Sequence, residues 1–140
     1  MLDVKKLLTK ILQRQTKMVL IWSGGSYMDG NQTVAIPSGV KWKSLTLVWS
    51  EYVNGAPQNY GWVENRLSYD SIAKRNGQGF FFLMASNTFA YIAAKYLYIS
   101  PTLITGNSNN KTAATASTTG INYTNNHWVL REVWLEEYAE

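Results

Sequence analysis

A chain of 140 residues has room for one hydrophobic core and no second independent one. Cysteine is absent, which excludes a disulfide scaffold and thiolate metal sites, and six Trp with nine Tyr favour β structure over a helical bundle. The formal charge of +4 arises within the first 17 residues, where Lys5, Lys6, Lys10, Arg14 and Lys17 face Asp3 alone; beyond them cations and carboxylates balance, which describes a solvated helix face and argues against a nucleic-acid partner.

Residues 2–16 carry the one clear helical period. Val4, Leu8, Ile11, Gln15 and Met18 are spaced 4, 3, 4 and 3 apart, the a/d seam of a coiled coil, with Leu7 and Leu12 widening the stripe. A helix of about 15 residues is marginal alone in water, so this segment either packs on its own domain or pairs with copies of itself. The chain therefore divides into an N-terminal helix over residues 1–17, an oligomerisation or docking stem, and a β domain over residues 18–140. No run of about 18 apolar residues is present, and the charged start MLDVKKLLTKILQRQTK lacks the apolar stretch of a signal peptide, which predicts cytosolic synthesis and no membrane insertion.

KMVLIW (17–22) reads as a first strand closed by a Ser23-Gly24-Gly25-Ser26 turn. A turn at Asp29-Gly30-Asn31 precedes a short strand over 33–36, stopped by Pro37. The longest strand spans 44–53, with Leu45, Leu47 and Trp49 on one face and Thr46, Val48 and Ser50 on the other. Asn54-Gly55-Ala56-Pro57 forms a turn, and an extended segment restarts at Tyr60 and runs toward Leu67 or Tyr69. Residues 71–77 hold a helical turn at most. GFFFLMA (79–85) is continuously apolar, as a buried strand is. In 90–99, Tyr96 and Tyr98 alternate with Leu97 and Ile99, so both faces are expected to be covered. Pro101 breaks the strand, Leu103 and Ile104 resume it, and residues 105–126 form a long Thr/Asn/Ser loop with a minor hairpin through Ile121 and Tyr123. HWVLREVWL (127–135) is the last strand. Eight or so short strands punctuated by turns predict an all-β, jelly-roll-like β-sandwich.

Chemistry for catalysis is sparse. His127 is the one histidine, and Walker, GxSxG and HExxH motifs are all absent. Asp29-Gly30-Asn31 is read as a plain turn, so neither metal nor cofactor is expected. Glu51 and Glu64 are the best-placed carboxylate pair for glycosidic chemistry, yet binding is better supported. Tyr52, Asn59, Tyr60, Trp62, Glu64 and Arg66 combine flat aromatic faces with amide and charged groups, a mixture suited to the C–H face and hydroxyl rim of a sugar. Trp49 and Trp128 are assigned to the core.

The segments IWSGGSYM, TLVWSEYVNGAPQNYGW, KYLYISPTLITGN and the terminal WVLREVW occur in this order. Over residues 18–135 the chain resembles a family of small phage and prophage minor structural proteins from Gram-positive hosts, with KYLYISPTLITG as the most specific part. It departs from the family in Asn107-Ser108-Asn109-Asn110 after ITG and in its acidic WLEEYAE end. The resemblance implies a non-enzymatic virion protein, a tail-fibre tip or receptor-binding knob for host cell-wall saccharide, with no catalytic residues to carry over. It also implies a homotrimer whose helical stem uses Val4, Leu8, Ile11, Gln15 and Met18. The alternative is a decoration, collar or baseplate component that binds only other virion proteins.

Overall fold

The structure, a computed structural model, describes residues 3–116 and 121–139, without the side chains of residues 12–14, 114–116, 121 and 122. The expected helix start at Leu2 and stripe residue Leu12 lie outside what it describes. Helix α1 (Val4–Arg14) is capped by Asp3, whose carboxylate accepts from Lys6 N at 3.2 Å. Gln15 alone links it to strand β1 (Thr16–Ser26). The predicted seam therefore stops short: Val4, Leu8 and Ile11 lie on α1, Gln15 is the link, and Met18 belongs to a strand, because β1 pairing with the chain's last strand begins at Thr16. Val4, Leu7, Leu8 and Ile11 are all exposed, so this apolar stripe is not covered by the described residues.

The fold is all-β, two curled sheets facing each other. The first runs β1, β11 (Trp128–Tyr138), β3 (Trp42–Val53) and β5 (Val63–Ser68), with two-residue β4 (Ala56–Pro57) folded back on the end of β3. The second centres on β7 (Ile92–Ile99), flanked on one side by β6 (Gln78–Ala85). Along its other edge β8 (Leu103–Thr105) pairs at residues 98 and 99, and β10 (Ile121–Thr124) meets residue 92. Strands β2 (Thr33–Ala35) and β9 (Ala113–Ala116) extend these two partners. Helix α2 (Tyr69–Lys74) starts at Ser68, whose hydroxyl accepts from Ser71 N, and plugs the end nearest α1 with buried Ile72.

Period-2 alternation aims Leu45, Leu47 and Trp49 of β3, Leu130, Val133 and Leu135 of β11, and Leu97 and Ile99 of β7 into one shared core. Three expectations change. Ser23-Gly24-Gly25-Ser26 is not a turn; it continues β1 through a bulge where pairing to β11 slips between Ser23 and Ser26. A Cβ on Gly25 would stand 2.8 Å from the Pro57 ring, so the bare backbone lets the chain pass. The apolar run 79–85 is not buried on both faces: Phe82 and Met84 point inward, but Phe81 is 69% and Leu83 75% exposed on the edge strand β6. Tyr98 is exposed as well, so the second face of β7 is not covered. The long loop after Thr105 is largely ordered by 3-10 turns at Ser108–Lys111 and Asn125–His127 and by the β9–β10 hairpin; residues 117–120 of that expected loop are outside the described set.

Between the short pairings of β8 and β10, the middle of the β7 edge is served by side chains. Asn110, fully buried, accepts from Tyr96 N at 2.8 Å and donates to Tyr96 O at 2.8 Å and Met28 O at 2.7 Å. Asn125 accepts from Ala94 N at 2.9 Å. Lys95, 0% exposed, donates to Asn110 O at 2.8 Å and Tyr27 O at 3.2 Å. Its ammonium sits 5.6 Å from the Tyr27 and Trp49 ring centres.

On the outer face of the first sheet Glu136 accepts from Thr16 Oγ1 and Ser44 Oγ, each at 2.8 Å, and pairs with Arg66. These bonds, the hydroxyl donors first, hold its carboxyl below the usual carboxylate range. A depressed pKa contributes stability above the unfolded value that is lost as pH falls through the folded one. Glu136→Gln is expected to cost about 1–3 kcal/mol at neutral pH and to flatten the acid limb of stability below pH 4.5. Chemical denaturation from pH 7 to 3 measures both; an unchanged acid limb would remove Glu136 from that role.

Candidate functional site

The alternation that buries Leu45, Leu47 and Trp49 carries on to Glu51, which points inward at the mouth of the sandwich beyond the core. There it lines a cleft of about 510 Å³ with Tyr60 and Trp62 from the link before β5, Trp128 from the start of β11, and Ser86 and Asn87 following β6. The hairpin at Asn54-Gly55 has φ of 53° and 78°, the left-handed pair that Asn-Gly adopts in a type I′ turn. Gln58 Nε2 then donates to Val53 O at 3.1 Å and Ala56 O at 3.0 Å, and Glu51 N bonds Tyr60 O at 3.2 Å. Gly61 has φ +67°, and a Cβ there would overlap the Glu51 carboxylate; glycine is what lets the link pass the acid.

Two groups immobilise this mouth. Arg131 is the extra residue where the β11–β3 register slips between Leu130 and Glu132. Its guanidinium donates to Ser50 Oγ and Gln58 O, both at 2.9 Å, and to Asn59 Oδ1 at 3.2 Å, and lies 5.1 Å from the centre of the Trp62 ring. Trp62 is thus steadied by a cation while 47% of it stays exposed. His127 meets Glu51 Oε1 through Nε2 at 2.8 Å, and its ring stacks on Tyr91 with centres 3.9 Å apart at 8°. Trp128 also lines the cleft, is 1% exposed, and its buried indole N–H has no partner among the described residues. Rings, one oriented carboxylate and an amide together fit a polyhydroxylated ring.

The six predicted binding residues do not form one site. Tyr60 and Trp62 line the cleft, and Asn59 is tied to Arg131, whose guanidinium lies against Trp62. Glu64 and Arg66 alternate outward on β5 and line a trough of about 560 Å³ with Met18, Thr46 and Trp134, on the opposite face of the sheet. Tyr52 turns away from Glu51 and packs edge-on against Tyr27 with ring centres 5.1 Å apart. Glu51 and Glu64 therefore face different sides of one sheet and cannot flank one glycosidic bond. Among the described residues no group of three or more His, Asp or Glu is placed to hold a metal ion. The roles of Glu51, His127, Arg131, Tyr91 and the turn after β6 in the cleft escaped the sequence reading; only the lone histidine, opening a strand after an Asn pair, offered a signal. No protein-family model, no curated protein and no solved structure matches this chain.

Proposed function

We propose that this protein is a non-enzymatic knob of a phage virion that binds host cell-wall saccharide. One observation carries the binding part: the aromatic cleft opens at the end of the sandwich opposite helix α1, since β1 leaves α1 at Thr16 while Glu51, Trp62 and Trp128 lie at the other end of the antiparallel strands. We read the sandwich as jelly-roll-like and α1 as a short coiled-coil stem of a homotrimer. Its exposed stripe of Val4, Leu8 and Ile11 supports association, and the resemblance of residues 18–135 to phage structural proteins supports the virion. Three cleft copies facing one way gain avidity from weak single sites. The competing reading, a collar, decoration or baseplate part that binds only virion proteins, is favoured by stem length, because an 11-residue helix reaches only about 17 Å.

Light scattering of the full chain and of a form lacking residues 1–15 is expected to give a trimer and a monomer. Retention on purified Gram-positive wall polymer is expected to fall roughly tenfold or more for Trp62→Ala, on the scale of one aromatic contact. A folded trimer that retains no wall saccharide, yet co-assembles with tails or capsids, selects the competing reading.

A further inference from the structure

The outer face of the second sheet carries a separate aromatic trough of about 570 Å³. Phe81 and Tyr96 stack across β6 and β7 with ring centres 4.5 Å apart at 30°, and Tyr98 stands edge-on to Tyr96 at 5.2 Å. Gly79 makes this possible: a Cβ there would overlap the Tyr96 hydroxyl, so the ring lies flat on bare backbone. Tyr123 lines the same trough from β10, and Asn107, Asn109 and Asn125 line it too. None of the described lining residues carries a formal charge.

The trough exists because sheet pairing stops there. Along the β7 edge, side-chain amides of Asn110 and Asn125 replace the strand that would otherwise pair with Ala94 and Tyr96. Asn125 is held at both ends, donating to Asn109 O at 2.9 Å, and Asn107 Nδ2 reaches the Tyr98 hydroxyl at 3.3 Å. Holding this gap open requires a fully buried lysine and a fully buried asparagine, each costly in a core. Local rules are broken in this way where a site is being shaped.

We propose that this trough is a second saccharide site, for an uncharged pyranose whose C–H face lies on Phe81 and Tyr96 beside Tyr123, with hydroxyls reaching the Asn107 and Asn109 amides. Its charge-free lining matches a neutral sugar and disfavours an anionic polymer. It extends the saccharide reading, but uses no residue of the mouth cleft, so the two can fail separately.

Chitotetraose and maltotetraose, titrated in turn into the 15N-labelled full chain, probe it by NMR. We expect one of them to shift the backbone amides of Tyr96, Asn109 and Tyr123, with an affinity on the order of 1 mM. Tyr123→Ala should weaken binding roughly tenfold while Trp62→Ala leaves these shifts intact. Asn109→Ala, whose side chain makes no hydrogen bond with the described residues, is the second variant should Tyr123→Ala unfold. Three results overturn the proposal: no perturbation of the trough by either sugar, perturbation confined to the Trp62 cleft, or trough variants that change solution mass while sugar has no effect. The last means that a second copy covers this face.

Discussion

Asn110→Ala is expected to destabilise the protein by about 3–5 kcal/mol. The side chain makes three short bonds to main-chain groups of Tyr96 and Met28 from a position with no solvent exposure. Alanine leaves the Tyr96 N–H and the Tyr96 carbonyl without that partner, while the Met28 carbonyl keeps its bond from Asn107 N at 3.0 Å, and each buried unsatisfied group costs about 1–3 kcal/mol. Total stabilities of single domains run only about 5–15 kcal/mol. The same substitution frees the Ser108–Lys111 turn from β7, so hydrogen exchange should accelerate at Tyr96 and through residues 107–112 more than in β3. Urea unfolding gives the total and exchange gives its location. A loss below about 1 kcal/mol would mean that water replaces the amide and that the β7 gap is not held by it.

Lys95→Met is expected to reshape the pH dependence of stability. Burial, with no carboxylate in reach, pulls the Lys95 amine from 10.5 down to about 7. The unfolded chain therefore binds a proton that the native state resists. Above 10.5 both states are neutral there and nothing is lost; as pH falls toward 7 the penalty grows, and below 7 it stays constant. At about 1.4 kcal/mol per pH unit, wild type should lose roughly 3 kcal/mol between pH 9.5 and 7 through this one group. Tyr27 opposes it only at the alkaline end: desolvation first, then its Tyr52 neighbour, raises the phenol pKa, so its stabilisation is present below 10 and lost above. Denaturation between pH 7 and 9.5 isolates the lysine. Methionine leaves Tyr27 O and Asn110 O without a donor, so the variant should be weaker at pH 9.5, with the gap narrowing or reversing by pH 7. Parallel curves for the two proteins would show that Lys95 keeps an ordinary pKa.

Both predictions concern the same knot, and it connects to binding through geometry. Asn110 lies in the turn whose neighbours Asn107 and Asn109 border the outer trough, and Asn125, which holds the adjacent stretch of β7, immediately precedes Asn126 and His127. His127 in turn orients Glu51 in the mouth cleft. Residues 107–112 and 123–128 thus carry parts of both candidate sites. No helix among the described residues is long and apolar enough to cross a membrane.

Much of the architecture was legible from local pattern. Strands over 44–53 and 90–99, their inward residues Leu45, Leu47, Trp49, Leu97 and Ile99, the Asn54-Gly55 turn and the buried Trp128 follow from period-2 alternation and turn chemistry, which are properties of a few adjacent residues. Gly61 marked Tyr60 and Trp62 as loop-side residues but left core and surface equally open for them, and the structure exposes both. Local pattern failed where partners lie far away in sequence. Met18 continues a heptad on paper, but β11 pairing across more than a hundred residues takes it into a strand, and Ser23-Gly24-Gly25 reads as a turn until that same strand draws it into a bulge. Glu64 and Arg66 share a stretch with Trp62 yet end on the other face, because each step along a strand reverses the side chain's direction. By itself, then, the sequence determined an all-β sandwich with an amphipathic N-terminal helix and an aromatic, charge-balanced body. Only the tertiary structure decided that Glu51, His127, Arg131 and Trp62 share one mouth, and that Lys95 and Asn110 hold open a gap beside Phe81 and Tyr96. Those meetings depend on which edges pair and where the register slips, and period-2 alternation is the same for every choice of partner.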